Sequence, residues 1–161
     1  MTSITPHLWF DNQAFEAAEF YCSIFPNSRI IERQTFENTG PSGDDTASTV
    51  DFEVMGQRVI ALNAGPHFQL NEAFSFFVEC DTQEEVDAYW AKLTADGGAE
   101  VQCGWLKDRF GVSWQIVPKL LGELLQDPAR ERANNVMQAM LKMKKIDSDA
   151  LRAAYDQPIN A

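Results

Sequence analysis

Residues Cys103 to Pro118, CGWLKDRFGVSWQIVP, decide the fold. Two Trp, a Lys-Asp-Arg cluster and one Gly stand against an apolar, β-branched run that ends in Pro. The pattern predicts a strand, a turn at Phe110-Gly111, and a second strand from Val112 to Val117. Pro118 closes it, because proline has no amide to give to a sheet ladder. Large aromatics beside charges on paired strands predict the wall of a cavity rather than a plain core.

Working outward, Ala99–Trp105 and Leu106–Phe110 read as further strands, and Phe74–Cys80 as the strand that opens this half. Between them, Thr82 with Glu85 three residues on has the form of a capping box. Val86, Tyr89, Trp90 and Leu93 then fall on one helical face, and Gly97-Gly98 ends the helix.

The same order stands upstream. Ile4–Phe10 reads as a strand, and Asp11 or Asn12 caps a helix over Ala14–Phe25, whose apolar residues keep i, i+3, i+4 spacing. Ser28–Phe36 is a strand, 37–45 (ENTGPSGDD) a loop, and Val50, Phe52 and Val54 alternate with Thr49, Asp51 and Glu53. Met55-Gly56-Gln57 turns that strand back into Arg58–Asn63.

The sequence therefore predicts an α+β protein of paired βαβββ modules, about 4–63 and 74–118. They are expected to build one curved, mostly antiparallel sheet with a helix on the outer side of each half. A helical extension over 119–161 follows. In it Leu120, Leu121, Leu124 and Leu125 form an apolar turn, and Asp127-Pro128 reads as cap plus first helical residue. Val136, Met140 and Met143 mark a buried stripe, and a short helix restarts over 147–154.

A chain of 161 residues buries roughly 70% of its unfolded surface and folds without staples. A net charge of −11 argues against a nucleic-acid partner, whose phosphates are bound by Lys and Arg. Cys22, Cys80 and Cys103 form no CxxC pair, so neither a disulfide framework nor a zinc knuckle is expected. MTSITP shows no basic segment followed by an apolar run, and no stretch approaches the ~20 apolar residues of a membrane span. A cytoplasmic location without membrane contact is the expectation.

ITPHLWFDNQAFEAAEFY, ALNAGPHF, GWLKDRFGVSWQIVP and MQAMLKMKKID together resemble the PhnB-like branch of the vicinal oxygen chelate superfamily. Its members often carry the label 3-demethylubiquinone-9 3-methyltransferase. The resemblance implies the glyoxalase/bleomycin resistance/dihydroxybiphenyl dioxygenase fold, a homodimer, and a cavity under each curved sheet. In metal-using relatives four side chains, mostly His and Glu, hold a divalent ion there. The corresponding positions here are His7, Asn63, Ser75 and Gln115, the last aligned with the usual Glu. A neutral amide is a poor ligand for a hard cation, so no metal or other cofactor is expected.

The resemblance and the residues together nominate a site for a small-molecule ligand. His67, in a Gly-Pro-flanked loop, is the candidate ligand anchor or general base, and Gln115 would orient a polar group. His7, Trp9, Asn63, Phe68, Trp105 and Arg109 are the candidate ligand-binding residues. Each has a plainer reading: His7 as a half-buried ring satisfied by backbone, Arg109 or Asp108 as half of a turn-stabilising ion pair, Cys103 as a buried thiol. The leading expectation is a binding protein or metal-independent enzyme with an aromatic-lined cavity. One alternative is a metal-dependent lyase, isomerase or dioxygenase using His7 and His67; another is a module that only sequesters its ligand. Methyl transfer is not expected, since FDNQAFEAAEF after the first strand lacks the Gly-rich turn of a dinucleotide-type cofactor site.

Overall fold

The structure is a computed structural model that describes residues 2–37 and 47–158. The chain divides into two compact units, Met1–Leu70 and Asn71–Ala161. Each carries its own four-stranded mixed sheet. The strands expected in one sheet are thus hydrogen-bonded as two, and most of the loop expected at 37–45 lies outside the described residues.

In the first unit, β1 (His7–Phe10) leads into α1 (Ala14–Ile24), then β2 (Arg29–Phe36), β3 (Ala47–Val54) and β4 (Gln57–Asn63). The sheet order is β1-β4-β3-β2, with β1 parallel to β4 and the other pairs antiparallel. Met55 and Gly56 both have positive φ, 49° and 82°. That is the backbone a two-residue hairpin needs to match strand twist, and it leaves Val54 opposite Gln57. Alternation sends Leu8, Phe10, Val50, Phe52, Val59 and Ala61 to the helix side, where they are buried under α1. Tyr21 of α1 stacks on Phe52 at 6.3 Å. Burial of each such ring stabilises by about 1.5–3 kcal/mol.

The expected cap of α1 is different in detail. Neither Asp11 nor Asn12 caps it: Gln13 is the N-cap and makes no side-chain bond. Instead the Ala14 amide donates to Asn63 Oδ1 at 2.8 Å, so a side chain from β4 satisfies the orphan donor of the helix.

In the second unit β5 (Ser75–Cys80) precedes α2 (Gln83–Thr94), a 3-10 turn, β6 (Ala99–Glu100), β7 (Trp105–Lys107) and β8 (Ser113–Pro118). The order is β5-β8-β7-β6, with β5 parallel to β8. The capping box forms: Thr82 Oγ1 accepts the Glu85 amide at 3.2 Å, and Glu85 reaches back to the Asp81 amide.

Two expected strands are shorter than the sequence suggests. Residues 101–104 leave the sheet because Cys103 and Gly104 take positive φ, 59° and 83°. Their amides donate to Met143 O and Lys144 O, both at 2.8 Å. Residues 108–111 form a turn rather than a strand, closed by Gly111 N–H on Asp108 O at 3.0 Å.

The extension builds α3 (Lys119–Leu125), α4 (Arg130–Met140) and α5 (Ser148–Tyr155) within the second unit. Asp127 does not start α4; it accepts the Ala129 amide at 2.7 Å and the Tyr155 hydroxyl at 2.5 Å. Val117, Leu121, Val136, Ile146 and Leu151 form one buried cluster, with Met140 and Met143 packed against it. Gln83 of α2 clamps the segment between α4 and α5 by donating to Ile146 O and accepting the Ser148 amide.

Candidate ligand-binding site

Each sheet has one face covered by its helix and one face turned away from it. Strand alternation assigns residues to these faces without ambiguity. On β8, Trp114 and Ile116 share the α2 side, while Ser113, Gln115 and Val117 share the other.

The α2 side is organised by Asp108. Only 3% exposed, its carboxylate accepts Phe110 N–H at 2.9 Å, Val112 N–H at 3.0 Å and Trp114 Nε1–H at 2.9 Å. One side chain thus ties the turn to the strand after it. Asp108 is therefore a turn organiser within DRFGVSW, and its adjacency to Arg109 is that of a turn, not of a strand. Arg109 is exposed, lies 3.7 Å from Asp96, and sits over the Phe110 ring at 4.7 Å.

On the opposite face, Phe77, Gln115 and Trp105 stand in register across β5, β8 and β7. Ser75, Ser113 and Lys107 form the neighbouring row. Gln115 Nε2 donates to Ser75 Oγ at 3.0 Å, linking the two rows. Phe77 is 57% exposed although it is a large apolar side chain. Ser113 is 2% exposed, and its Oγ is the buried side-chain polar atom that lacks a hydrogen-bond partner among the described residues. An orphaned hydroxyl of this kind costs about 1–3 kcal/mol. Phe77 was not singled out in the sequence; its i+2 spacing from Ser75 was the available signal.

In the first unit the face away from α1 carries His7 and Trp9 of β1 with Ile60 and Leu62 of β4. Trp9 Nε1 donates to Gly65 O at 2.9 Å, and the Trp9 ring meets Phe68 edge-on at 5.0 Å. Gly65 has φ +88°, and a Cβ there would lie 3.6 Å from the His67 ring. Trp9, His67 and Phe68 thus gather around one glycine, with His67 and Phe68 exposed. His7 lies two residues from Trp9 on the same face and is exposed.

Asn63, expected to line the cavity, points the other way. It shares the helix side with Val59 and Ala61, and both ends of its amide are engaged: Oδ1 by Ala14 N–H, Nδ2 on Ser48 Oγ at 3.2 Å. The structure therefore assembles the nominated residues as His7, Trp9, His67 and Phe68 in one unit and Trp105 and Gln115 in the other. Asn63 and Arg109 stand outside both groups.

Of the four positions the resemblance points to, His7, Asn63, Ser75 and Gln115, the last three carry neutral side chains that are weak ligands for a hard divalent ion. Gln115 and Ser75 are neutral and bonded to each other, and Asn63 faces its helix. Among the described residues no three His, Cys, Asp or Glu side chains converge. Two thiols are poor ligands as they stand: burial, with Glu85 and Asp81 nearby, pushes Cys80 up to about 12, and burial also raises Cys22. No helix among the described residues is long and apolar enough to cross a membrane.

A sequence model of the family described as 3-demethylubiquinone-9 3-methyltransferase matches residues 2–117. Among solved structures, a putative 3-demethylubiquinone-9 3-methyltransferase, PhnB protein, from Bacillus cereus is 32% identical, with a TM-score of 0.64 over 73% of this chain and 99% of that one. A protein from Pseudomonas aeruginosa is 20% identical, with a TM-score of 0.58 over 73% and 98% of the two chains. The fosfomycin resistance protein FosX from Listeria monocytogenes is 17% identical, with a TM-score of 0.56 over 78% and 98%. The last two share the fold alone. No curated protein matches.

Proposed function

The chain belongs to the PhnB-like 3-demethylubiquinone-9 3-methyltransferase family of the vicinal oxygen chelate superfamily, and on that premise we propose that it binds a small planar molecule without using a metal. The observation that carries this reading is the row Phe77–Gln115–Trp105. An amide held by Ser75 stands between two aromatic residues, one of them largely exposed. Aromatic walls with few fixed polar groups are how proteins hold small organic ligands. Gln115 orients the ligand's polar group in the second unit; in the first, His67 stands beside the Trp9–Phe68 pair as that unit's own candidate anchor or base.

The family label does not carry methyl transfer to this chain. β1 runs into Asp11-Asn12-Gln13 and then α1, with no glycine in the turn, and each sheet has a single parallel pair. A cofactor such as S-adenosylmethionine would lack the Gly-rich turn that admits its charged part. The reading further takes the protein to be a cytoplasmic homodimer.

Native mass spectrometry of the purified protein, set against its denatured mass, tests the metal-free and dimeric parts of this reading together. The expected result is a dimer with no retained divalent ion, with or without a co-purified organic mass. One retained divalent ion per chain, together with activity lost on chelation, would overturn it in favour of a metal-dependent enzyme using His7 and His67.

A further inference from the structure

We propose that Ser113 and Gln115 form the polar edge of the second unit's ligand site, and that this edge selects a neutral aromatic ring carrying an N–H donor next to a carbonyl, as in a lactam. The proposal rests on the reading that this sheet face binds a planar ligand, and it names the ligand's chemistry.

Two atoms carry it. Ser113 Oγ is buried and unpartnered, although a serine hydroxyl ordinarily finds a nearby backbone carbonyl. In a native protein such a group marks strain, a catalytic role, or a place where a water, ion or ligand completes it. Gln115 lies two residues along the same strand, so both side chains leave the same face. Its Nε2 is committed to Ser75 Oγ, which fixes the amide and leaves Oε1 as an acceptor with no donor among the described residues. One hydroxyl able to donate and one carbonyl able only to accept call for a ligand edge with an acceptor and a donor side by side.

The flanking groups set the rest. Phe77 and Trp105 lie one strand to either side of Gln115, so they stand roughly 10 Å apart in the sheet. That spacing admits a flat ring over the amide. The charges on this face favour a neutral ring: Lys107 is paired with Glu72, and Glu79, opposite Val117, repels an anion.

Equilibrium dialysis with three probes tests the assignment: 2-quinolone, which has both groups, N-methyl-2-quinolone, which lacks the donor, and naphthalene, which lacks both. The full chain should bind 2-quinolone about tenfold more tightly than either of the others, about 1.4 kcal/mol on the affinity scale. Ser113→Ala should weaken 2-quinolone by about fivefold and leave naphthalene unchanged, while keeping or raising the melting temperature, since it removes an unsatisfied group. A serine with a structural hydrogen bond would lower it instead. Equal binding of all three probes, or an unchanged preference in Ser113→Ala, overturns the lactam edge and leaves the binding reading standing. Failure of all three to bind overturns both.

Discussion

The Asp108 carboxylate accepts the Trp114 indole N–H at 2.9 Å while its other oxygen holds two backbone amides of the intervening turn. This bond sets where β8 begins, and so which residues of the strand face away from α2. Asp108→Ala would orphan three buried donors, for a loss of about 3–5 kcal/mol in denaturant unfolding. Trp114→Phe should cost less, and the double variant should fall short of the sum. Additive losses would mean that the pair does not act as a unit.

Asn63→Ala should destabilise by about 1–2 kcal/mol, the usual effect of losing a helix cap. Asn63→Asp keeps the acceptor for Ala14 but loses the donor to Ser48, and should recover much of that loss. Neither change should alter ligand affinity, because the side chain sits on the helix side of its sheet. A loss of affinity in a folded Asn63→Asp protein would return Asn63 to the site.

Much of this architecture was legible in the residues, and what was not has local physical causes. The alternation Val50-Phe52-Val54 and the Thr82/Glu85 box each encode their element within a few positions, and both formed. Residues 101–104 read as a strand because Val101 and Trp105 are strand formers. The Cys103 and Gly104 amides between them instead pair with Met143 and Lys144, 40 positions later, which no short window contains. The first helix looked self-capped by Asp11 or Asn12, yet its donor is met by a side chain 49 residues away. For Asn63 the signal was present: it continues the Val59-Ala61 parity of the buried face.

The extension should loosen at both ends of the pH scale. Lys145 and Gln83 hold the Asp87 carboxyl below its ordinary 3.8, and the Tyr155 hydroxyl does the same for Asp127. Stability from a depressed carboxylate is full above its unfolded value and is lost as pH falls through the folded one. The acid loss therefore lies below 3.8. Asp127 also raises Tyr155 above its ordinary 10.0, and that contribution fades as pH climbs past the raised value. Helical circular dichroism followed in acid and base, with Asp127→Asn as control, checks both limbs. The variant should lose part of each, and an unchanged profile would remove this pair from the account.

Thiol labelling should be ordered by burial. Cys80, raised to about 12 and fully covered, should react with a disulfide reagent only on unfolding. Fast reaction of the Cys80 thiol in native protein would mean that β5 opens on its own.

Gly104→Ala should destabilise by about 1–3 kcal/mol, since φ is +83° there. A Cβ would also stand 3.1 Å from both Ile116 O and Ile146 Cγ1. A wild-type midpoint of denaturant unfolding in Gly104→Ala would mean that the backbone there relaxes freely.

The bonds from Cys103 and Gly104 to Met143 and Lys144 also bear on how the chain is made. The first unit ends at Leu70 and has all its sheet partners by then. The second cannot complete its backbone pairing until 40 further residues have followed Gly104, a wait of roughly 2–8 s at ordinary translation rates of about 5–20 residues per second. On the ribosome, then, one half of this molecule has every strand partner in hand while the other still waits for its own tail.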